Sequence, residues 1–468
     1  MVLEITPVFD HKSKDPLYIQ LANYIKQEIL TGRIKPKEKL PSKRHLSTYL
    51  GLSLNTIQAA YDQLGAEGYL ENKPRQGLFV TMLEDDIFPN HEYPPQLEPK
   101  SEQVHTNVKI DFNSGNVDLE HFPFAIWRKL TNQSLYDDQS EFFNIGNPQG
   151  EQQLREEIAK YLFSSRGARC SPDQIVIGAG TQVLIGLLSL LIGKDHTYAL
   201  ENPGFHRTRA VLEDLGAHTI SIRLDEDGID VKKLKDSTAN VVYVTPSHQF
   251  PYGMVMPIQR RMELLSWAEE KGGYIIEDDY DGEYRYKGKP IPSLQGLDAN
   301  GNVVYLGTFS KSLIPSIRIS YLVLPQTLLQ KYQDHFTIYK QTASRLHQIP
   351  LSRFMNEGHW QSHLNKMRTL YRKKQNTLIH SINKYMGDNV NIIGEKSGLH
   401  IVLEAKNGMP EKELINRAMK VGVKVYPLSI YYSGPNDSQE SKVLLGFGGL
   451  TVEEIEKGIR LLTTAWNF

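Results

Sequence analysis

The sequence predicts an α/β protein in two parts, a small winged helix-turn-helix followed by a large body built on a mainly parallel sheet. Three observations carry this. At 468 residues the chain is too long for one ordinary core. Its first eighty residues read as helices joined by a tight turn, then strand–turn–strand. From about residue 111, β-branched apolar runs bounded by turn residues alternate with amphipathic helices.

In the first part, Tyr18, Leu21, Ala22, Ile25 and Ile29 recur at helical spacing. In "PSKRHLSTYLG" Ser42 is the N-cap of the next helix and Gly51 its C-terminal stop. After Gly51-Leu52-Ser53, "LNTIQAAYDQLGAEG" makes another helix with Ile57, Tyr61 and Leu64 inward and Gly68 at its end. "YLENKPRQGLFV" is a strand, a Lys-Pro-Arg-Gln-Gly turn and a second strand.

Charge says nothing overall, because 53 Lys and Arg nearly cancel 54 Asp and Glu. Locally it is lopsided. Arg33, Lys35, Lys37, Lys39, Lys43 and Arg44 face a single Glu38, and Lys73, Arg75 and Gln76 tip the hairpin. Such groups, with the helix start at Ser42, suit the phosphates of double-stranded DNA. Asn55, Thr56 and Gln58, early in the second helix of the motif, suit base edges in the major groove. The alternative is a helical packing module with a solvated basic edge.

A tether follows. Residues 82–110 hold four prolines and many acids with no sustained periodicity, so the division is 1–81, a linker 82–110, and a body 111–468. Hydrophobic residues at 40% and charged residues at 23% fit an ordinary folded chain. Cys170 is alone, so no intrachain disulfide or cysteine metal cluster forms. "MVLEITPVFD" lacks the basic and apolar run of a signal peptide, and "VLIGLLSLLIG" is too short to span a bilayer. A cytoplasmic protein with no membrane partner is expected.

In the body, "QIVIGAG", "NVVYVTP", "GYIIEDDY", "NVVYLGT" and "RISYLVLP" are the strands, and sites on such sheets lie beyond the strands' carboxyl ends. There, Gly178-Ala179-Gly180 runs into a helix at Thr181-Gln182, an anion cradle or simply a tight connection. "IIEDDYDGEY" presents Glu277, Asp278, Asp279 and Tyr280. The histidines nearby lack ligand-type spacing, so no metal is expected, magnesium on the paired acids being the alternative. "GTFSKSLIPSIRIS" carries Lys311 out of a buried strand, beside Ser310 and ahead of Arg318. A lone lysine there would be a solvated loop residue. With a phosphate cradle and a strand-end carboxylate, in that order, it matches the chemistry of pyridoxal 5′-phosphate: a lysine for the aldehyde, an acid for the pyridinium, a helix end for the phosphate.

"PSKRHLSTYLGLSLNTIQAAYDQLGAEGYL" resembles the winged-helix domain of GntR-type bacterial regulators, except that Leu54 stands where that family usually has an arginine. Residues 111–468 resemble fold-type I aminotransferases. That resemblance implies Lys311 as the catalytic lysine forming the Schiff base, Asp278 on the pyridine nitrogen and Tyr280 on the ring oxygen. It further implies Phe205 stacking on the ring, and Gly180, Thr181, Gln182, Ser310 and Arg318 on the phosphate. "GLHIVLEA", "VGVKVYPLS" and "KVLLGFGGL" would complete a smaller α/β C-terminal lobe, whose last helix opens with a capping box at Thr451–Glu454. "GNPQG" at 146–150 resembles the stretch at the shared cofactor site of a homodimer.

End to end the chain resembles the MocR/GabR subfamily, including "TPSHQFPYGMVMP". The resemblance implies a transcription regulator that senses a small amino compound, or the cofactor itself, through an aminotransferase-like body. The alternative is a working aminotransferase with a DNA-binding appendage. Two departures favour the regulator. The family asparagine is replaced near His248 or Gln249, and the substrate-gripping arginine gives way to Gly448-Gly449, which would free space for a larger ligand. Arg207 and His248 are the candidate effector residues.

Overall fold

Leu21, Ala22, Ile25 and Ile29 line the buried side of α1 (Leu17–Leu30), the first helix of the computed structural model. The structure describes residues 5–10, 13, 15–82, 108–136, 140–286, 292–434 and 441–468, in two units, 1–104 and 105–468. In the first unit, α2 (Lys43–Leu50) starts where Ser42 Oγ accepts the His45 N–H and stops at Gly51, whose φ of 67° a side chain would strain. Ser47 Oγ closes the turn by donating to the Leu52 carbonyl at 2.6 Å. α3 (Leu54–Ala66) is capped by Ser53 and buries Ile57, Ala60, Tyr61 and Leu64. β1 (Leu70–Lys73) and β2 (Gly77–Val80) pair antiparallel as the wing.

The second unit is centred on eight strands: β3 (Ile175–Gly178), β4 (Thr197–Asn202), β5 (His218–Asp225), β6 (Gly228–Ile229), β7 (Val241–Val244), β8 (Tyr274–Asp279), β9 (Val303–Thr308) and β10 (Ser320–Val323). Their order is β3-β10-β9-β8-β7-β4-β5-β6. The pairs from β9 across to β5 are parallel, and β10 runs antiparallel to both neighbours. β3, β7, β9 and β10 are buried on both faces, which is why they read as continuous apolar runs. Leu184 and Leu188 of α4 (Thr181–Ile192) pack with Leu200, Tyr243 and Ile276 on one face. Leu264 and Trp267 of α5 (Ile258–Lys271) pack with Val242, Val244 and Ile275 on the other.

A smaller lobe holds β11 (Val390–Ile393), β12 (His400–Ala405), β13 (Tyr426–Pro427) and β14 (Lys442–Gly446), all antiparallel in the order β11-β12-β14-β13. The expected C-terminal segments supply β12 to β14, and β11 is an addition at the edge. α6 (His359–Tyr385) and α7 (Val452–Ala465) cover the sheet, and Thr451 and Glu454 form the capping box. Ile110 is buried and pairs with Val423, so this strand pairing of the body starts one residue inside the span read as linker. The rest of that span, but for residues 82, 108 and 109, lies outside the described residues.

Candidate functional site

In the first unit, Ser42, Arg44 and Asn55 are exposed, and Lys43, Thr56 and Gln58 are half-buried. Gln58 is not free: its Oε1 accepts from Lys43 Nζ, and its Nε2 donates to Asp62 at 2.6 Å. Lys73 pairs with Glu71 of the same wing strand at 2.8 Å, while Arg75 stands in the turn at φ 65° beside Gln76. Tyr61 donates to the Pro41 carbonyl at 3.0 Å, which fixes α3 against the start of α2.

In the body, five strand ends converge as parallel strands demand. β8 delivers three consecutive acids, and the alternation of side chains sorts them. Glu277 accepts the N–H groups of Leu294 and Gln295 at 2.8 and 3.0 Å. Asp279, on the same face, takes Arg166 Nε at 2.7 Å and the Tyr305 hydroxyl at 2.7 Å. Asp278 points the other way. Its Oδ2 accepts from the Tyr243 hydroxyl, and its Oδ1 is buried without a donor. Burial pushes its pKa up to about 7 despite that hydrogen bond.

Lys311 follows β9 and donates from Nζ to the Ser114 carbonyl. The residue keeps some exposure, but desolvation of its ammonium pushes the pKa down to about 8, against the opposing pull of Asp281. At the end of β3, Gly180 adopts φ 99°, and a Cβ there would lie 2.1 Å from Nη2 of Arg318. Arg318 itself sits in the left-handed region at φ 50° and donates to the Ala179 carbonyl at 3.2 Å. Thr181 and Gln182 open α4 beside this pair, where the helix presents free N–H groups. Ser310 N donates to Thr308 Oγ1 at 3.2 Å. Phe205 lies flat on Phe250 with ring centroids 4.2 Å apart, and Tyr280 meets Phe205 edge-on at 5.1 Å.

The two residues suggested for the position near the ring oxygen separate cleanly. Gln249 donates into backbone, to the Pro203 carbonyl at 3.0 Å. His248 is buried, with Nδ1 2.9 Å from both the Tyr280 hydroxyl and Asp281. His400 of β12 stands over it, ring centroids 4.9 Å apart, and burial pushes its imidazole down to about 3. Asp281, His248 and His400 bring one donor atom each within 4.8 Å, the donor set of a metal site. His248 Nδ1 is engaged by Asp281 and His400 Nε2 by the Pro251 carbonyl, while His248 Nε2 is buried without a partner. Arg207 is exposed, on the helix His206–Asp214, and its charge reaches His206 and Tyr431.

One expectation is corrected. The space at Gly448-Gly449 is not free, because a Cβ on either would lie 2.7 Å from Asn116 atoms. The segment 113–116 crosses the end of β14 there, and Lys374 reaches the Gly448 carbonyl at 2.9 Å while paired with Asp118 at 2.6 Å. The β14 side chain that packs with Phe250 and Tyr280 is Leu444. Sequence reasoning also passed over Tyr243, Asp281, His400 and Ser114. Asp281 was visible in "DDYDGEY"; no local signal marks the others.

Comparison with known proteins extends these observations. Residues 107–460 match the model of the aminotransferase class I and II family, and residues 17–80 that of the bacterial regulatory proteins of the gntR family. The chain is 44% identical to the HTH-type transcriptional regulator YdeL of Bacillus subtilis, over 99% of this chain and 100% of that protein. It is 30% identical to the probable rhizopine catabolism regulatory protein MocR of Rhizobium meliloti, over 98% of this chain and 95% of that one. Among solved structures, an archaeal alanine:glyoxylate aminotransferase matches with a TM-score of 0.70 at 24% identity, over 76% of this chain and 90% of that chain. At that identity the likeness shows the fold. Among the described residues, no helix is long and apolar enough to cross a membrane.

Proposed function

Because the chain belongs to the MocR-type HTH transcriptional regulators, a gntR-family DNA-binding domain joined to an aminotransferase class I and II domain, we propose that its body holds pyridoxal 5′-phosphate at Lys311 and senses through it a small amino compound or the cofactor itself. Asp278 carries this reading. A buried carboxylate oxygen without a donor is costly unless a ligand supplies one, and a pyridinium N–H is such a donor. Bound there, the cofactor supplies an aldehyde that bonds amines and a ring whose absorbance reports them.

The chain's own residues do the rest. Lys311, with its pKa near 8, offers a usable fraction of neutral amine near neutral pH. Gly180 leaves room, and Thr181 and Gln182 free amides, for a phosphate, with Ser310 and Arg318 beside them. Phe205, already braced on Phe250, presents its ring for stacking. Tyr280 would donate to the ring oxygen, held by His248. Arg207 and His248 are the proposed effector contacts.

A regulator is preferred to an aminotransferase with a DNA-binding appendage. Leu444 and Asn116, where a carboxylate would need a cation, offer none, and Lys374 is neutralised by Asp118. The first unit would bind double-stranded operator DNA through Ser42, Lys43, Arg44, Asn55, Thr56, Gln58, Lys73, Arg75 and Gln76. A cytoplasmic homodimer is part of the same proposal; exposed Phe124, Phe143 and Ile338 are suited to a partner's surface. The test is absorbance of the purified protein with added pyridoxal phosphate and candidate amines, read alongside operator binding. Retention of a borohydride-fixed adduct by Lys311→Ala would sink the assignment.

A further inference from the structure

Leu54 is the first residue of α3 and is 47% exposed, although the same helix has a full buried face in Ile57, Ala60, Tyr61 and Leu64. It belongs to no core of the first unit. A lone exposed leucine means nothing by itself. Its position is what gives it meaning. Ser53 caps the helix immediately before it, Asn55 beside it is exposed, and Gln58 stands one turn further on the same flank. Gln58 is held by Lys43, and Lys43 and Arg44 open α2. An apolar side chain therefore projects from a helix start within a basic surface.

The N-terminal residues of such a helix meet base edges in the major groove. Every edge there offers hydrogen-bond groups that a leucine cannot use, and one offers an apolar group, the C5-methyl of thymine. We propose that Leu54 is a specificity-determining residue that selects thymine at one position of each half-site by packing on that methyl. A leucine at this place also disfavours guanine, whose paired acceptors it cannot satisfy. The inference rests on the DNA-binding reading of the first unit and adds the base that one residue chooses.

The experiment uses the full-length protein and a duplex enriched from a random pool by that protein. Each thymine is replaced singly by deoxyuridine, which removes one methyl and keeps every hydrogen-bonding group. Wild-type protein should lose affinity about three- to fivefold at one position per half-site, the worth of one buried methyl. Leu54→Ala, an exposed change that leaves the fold intact, should bind thymine and uracil duplexes equally there. Arg44→Ala, a phosphate-side control, should weaken both duplexes and keep their ratio. Uniform tolerance of uracil by the wild type, or an unchanged ratio in Leu54→Ala, overturns the proposal. Failure to enrich any duplex removes instead the DNA-binding reading beneath it, and the proposal with it.

Discussion

The Tyr243 hydroxyl occupies one oxygen of the Asp278 carboxylate and leaves the other, equally buried, with no donor. Tyr243 thus orients the acid without satisfying it, and the unsatisfied oxygen faces away from the structural pairs made by Glu277 and Asp279. Asp278→Asn keeps the shape and removes the charge. Pyridoxal phosphate should bind it about tenfold or more weakly, as loss of a charge-assisted hydrogen bond implies. A spectral titration checks this, and equal affinity would disconnect Asp278 from the ring.

Gly180→Ala should damage the proposed phosphate cradle from within. The new methyl meets the Arg318 guanidinium, and φ 99° is hostile to any side chain. A loss of about 1–3 kcal/mol in stability is expected from the backbone alone, together with weaker cofactor binding. Thermal melts with and without pyridoxal phosphate separate the two effects: the cofactor-induced rise in Tm should shrink.

The attachment proposed at Lys311 would need the neutral amine. Burial holds its pKa near 8 rather than at the ordinary lysine value, so protonation blocks the reaction below about 8 and no longer does so above. The association rate of pyridoxal phosphate with apoprotein should rise with pH through that value and level off. A rate still climbing at pH 10 would place Lys311 in an ordinary solvent environment.

The buried pair Lys374–Asp118 anchors the start of the body to the small lobe. Burial works against the Asp118 carboxylate, but hydrogen bonds from Lys374 and His121 more than offset it and hold its pKa below the usual range. Lys374→Met should destabilise the body by about 3 kcal/mol near neutral pH. Asp118 contributes above the ordinary aspartate pKa, and its contribution is lost as pH falls through its lower folded value. The gap between variant and wild type should therefore narrow in acid, which denaturant melts at pH 7 and below about 4 would show.

Arg44→Ala and Arg75→Ala should each weaken operator binding, and where the arginine meets a phosphate the salt slope should fall by about one unit. Arg75 sits at φ 65°, so Arg75→Gly should keep the wing while removing the charge. It therefore separates DNA contact from fold.

What could be read from the residues was whatever lay in order along the chain. Gly180, Asp278 and Lys311 lie at or just past the carboxyl end of a strand that announces itself by composition, and Arg318 lies just before one, so the candidate site could be read from their order. The strands Thr197–Asn202 and His218–Asp225 went unnamed for a physical reason: the first ends in Glu201-Asn202, and the second is largely exposed and near the sheet edge. Contacts between distant segments were out of reach. Asn116 against Gly448 and His400 above His248 join stretches hundreds or scores of residues apart, and nothing local at either end signals the other. Gly448-Gly449 looked like an opening because the glycines were visible and their occupant was not.

The amine of Lys311 and the carbonyl of Ser114 share a consequence beyond the site. Ser114 stands just after Ile110, whose strand pairs with Val423 of the small-lobe segment. An ammonium has three hydrogens to share, and a lysine nitrogen joined to an aldehyde carbon has at most one. The carbonyl and the aldehyde are thus rivals for a single atom. Under the proposed attachment, chemistry at that atom would slacken a mooring line on the segment 113–116.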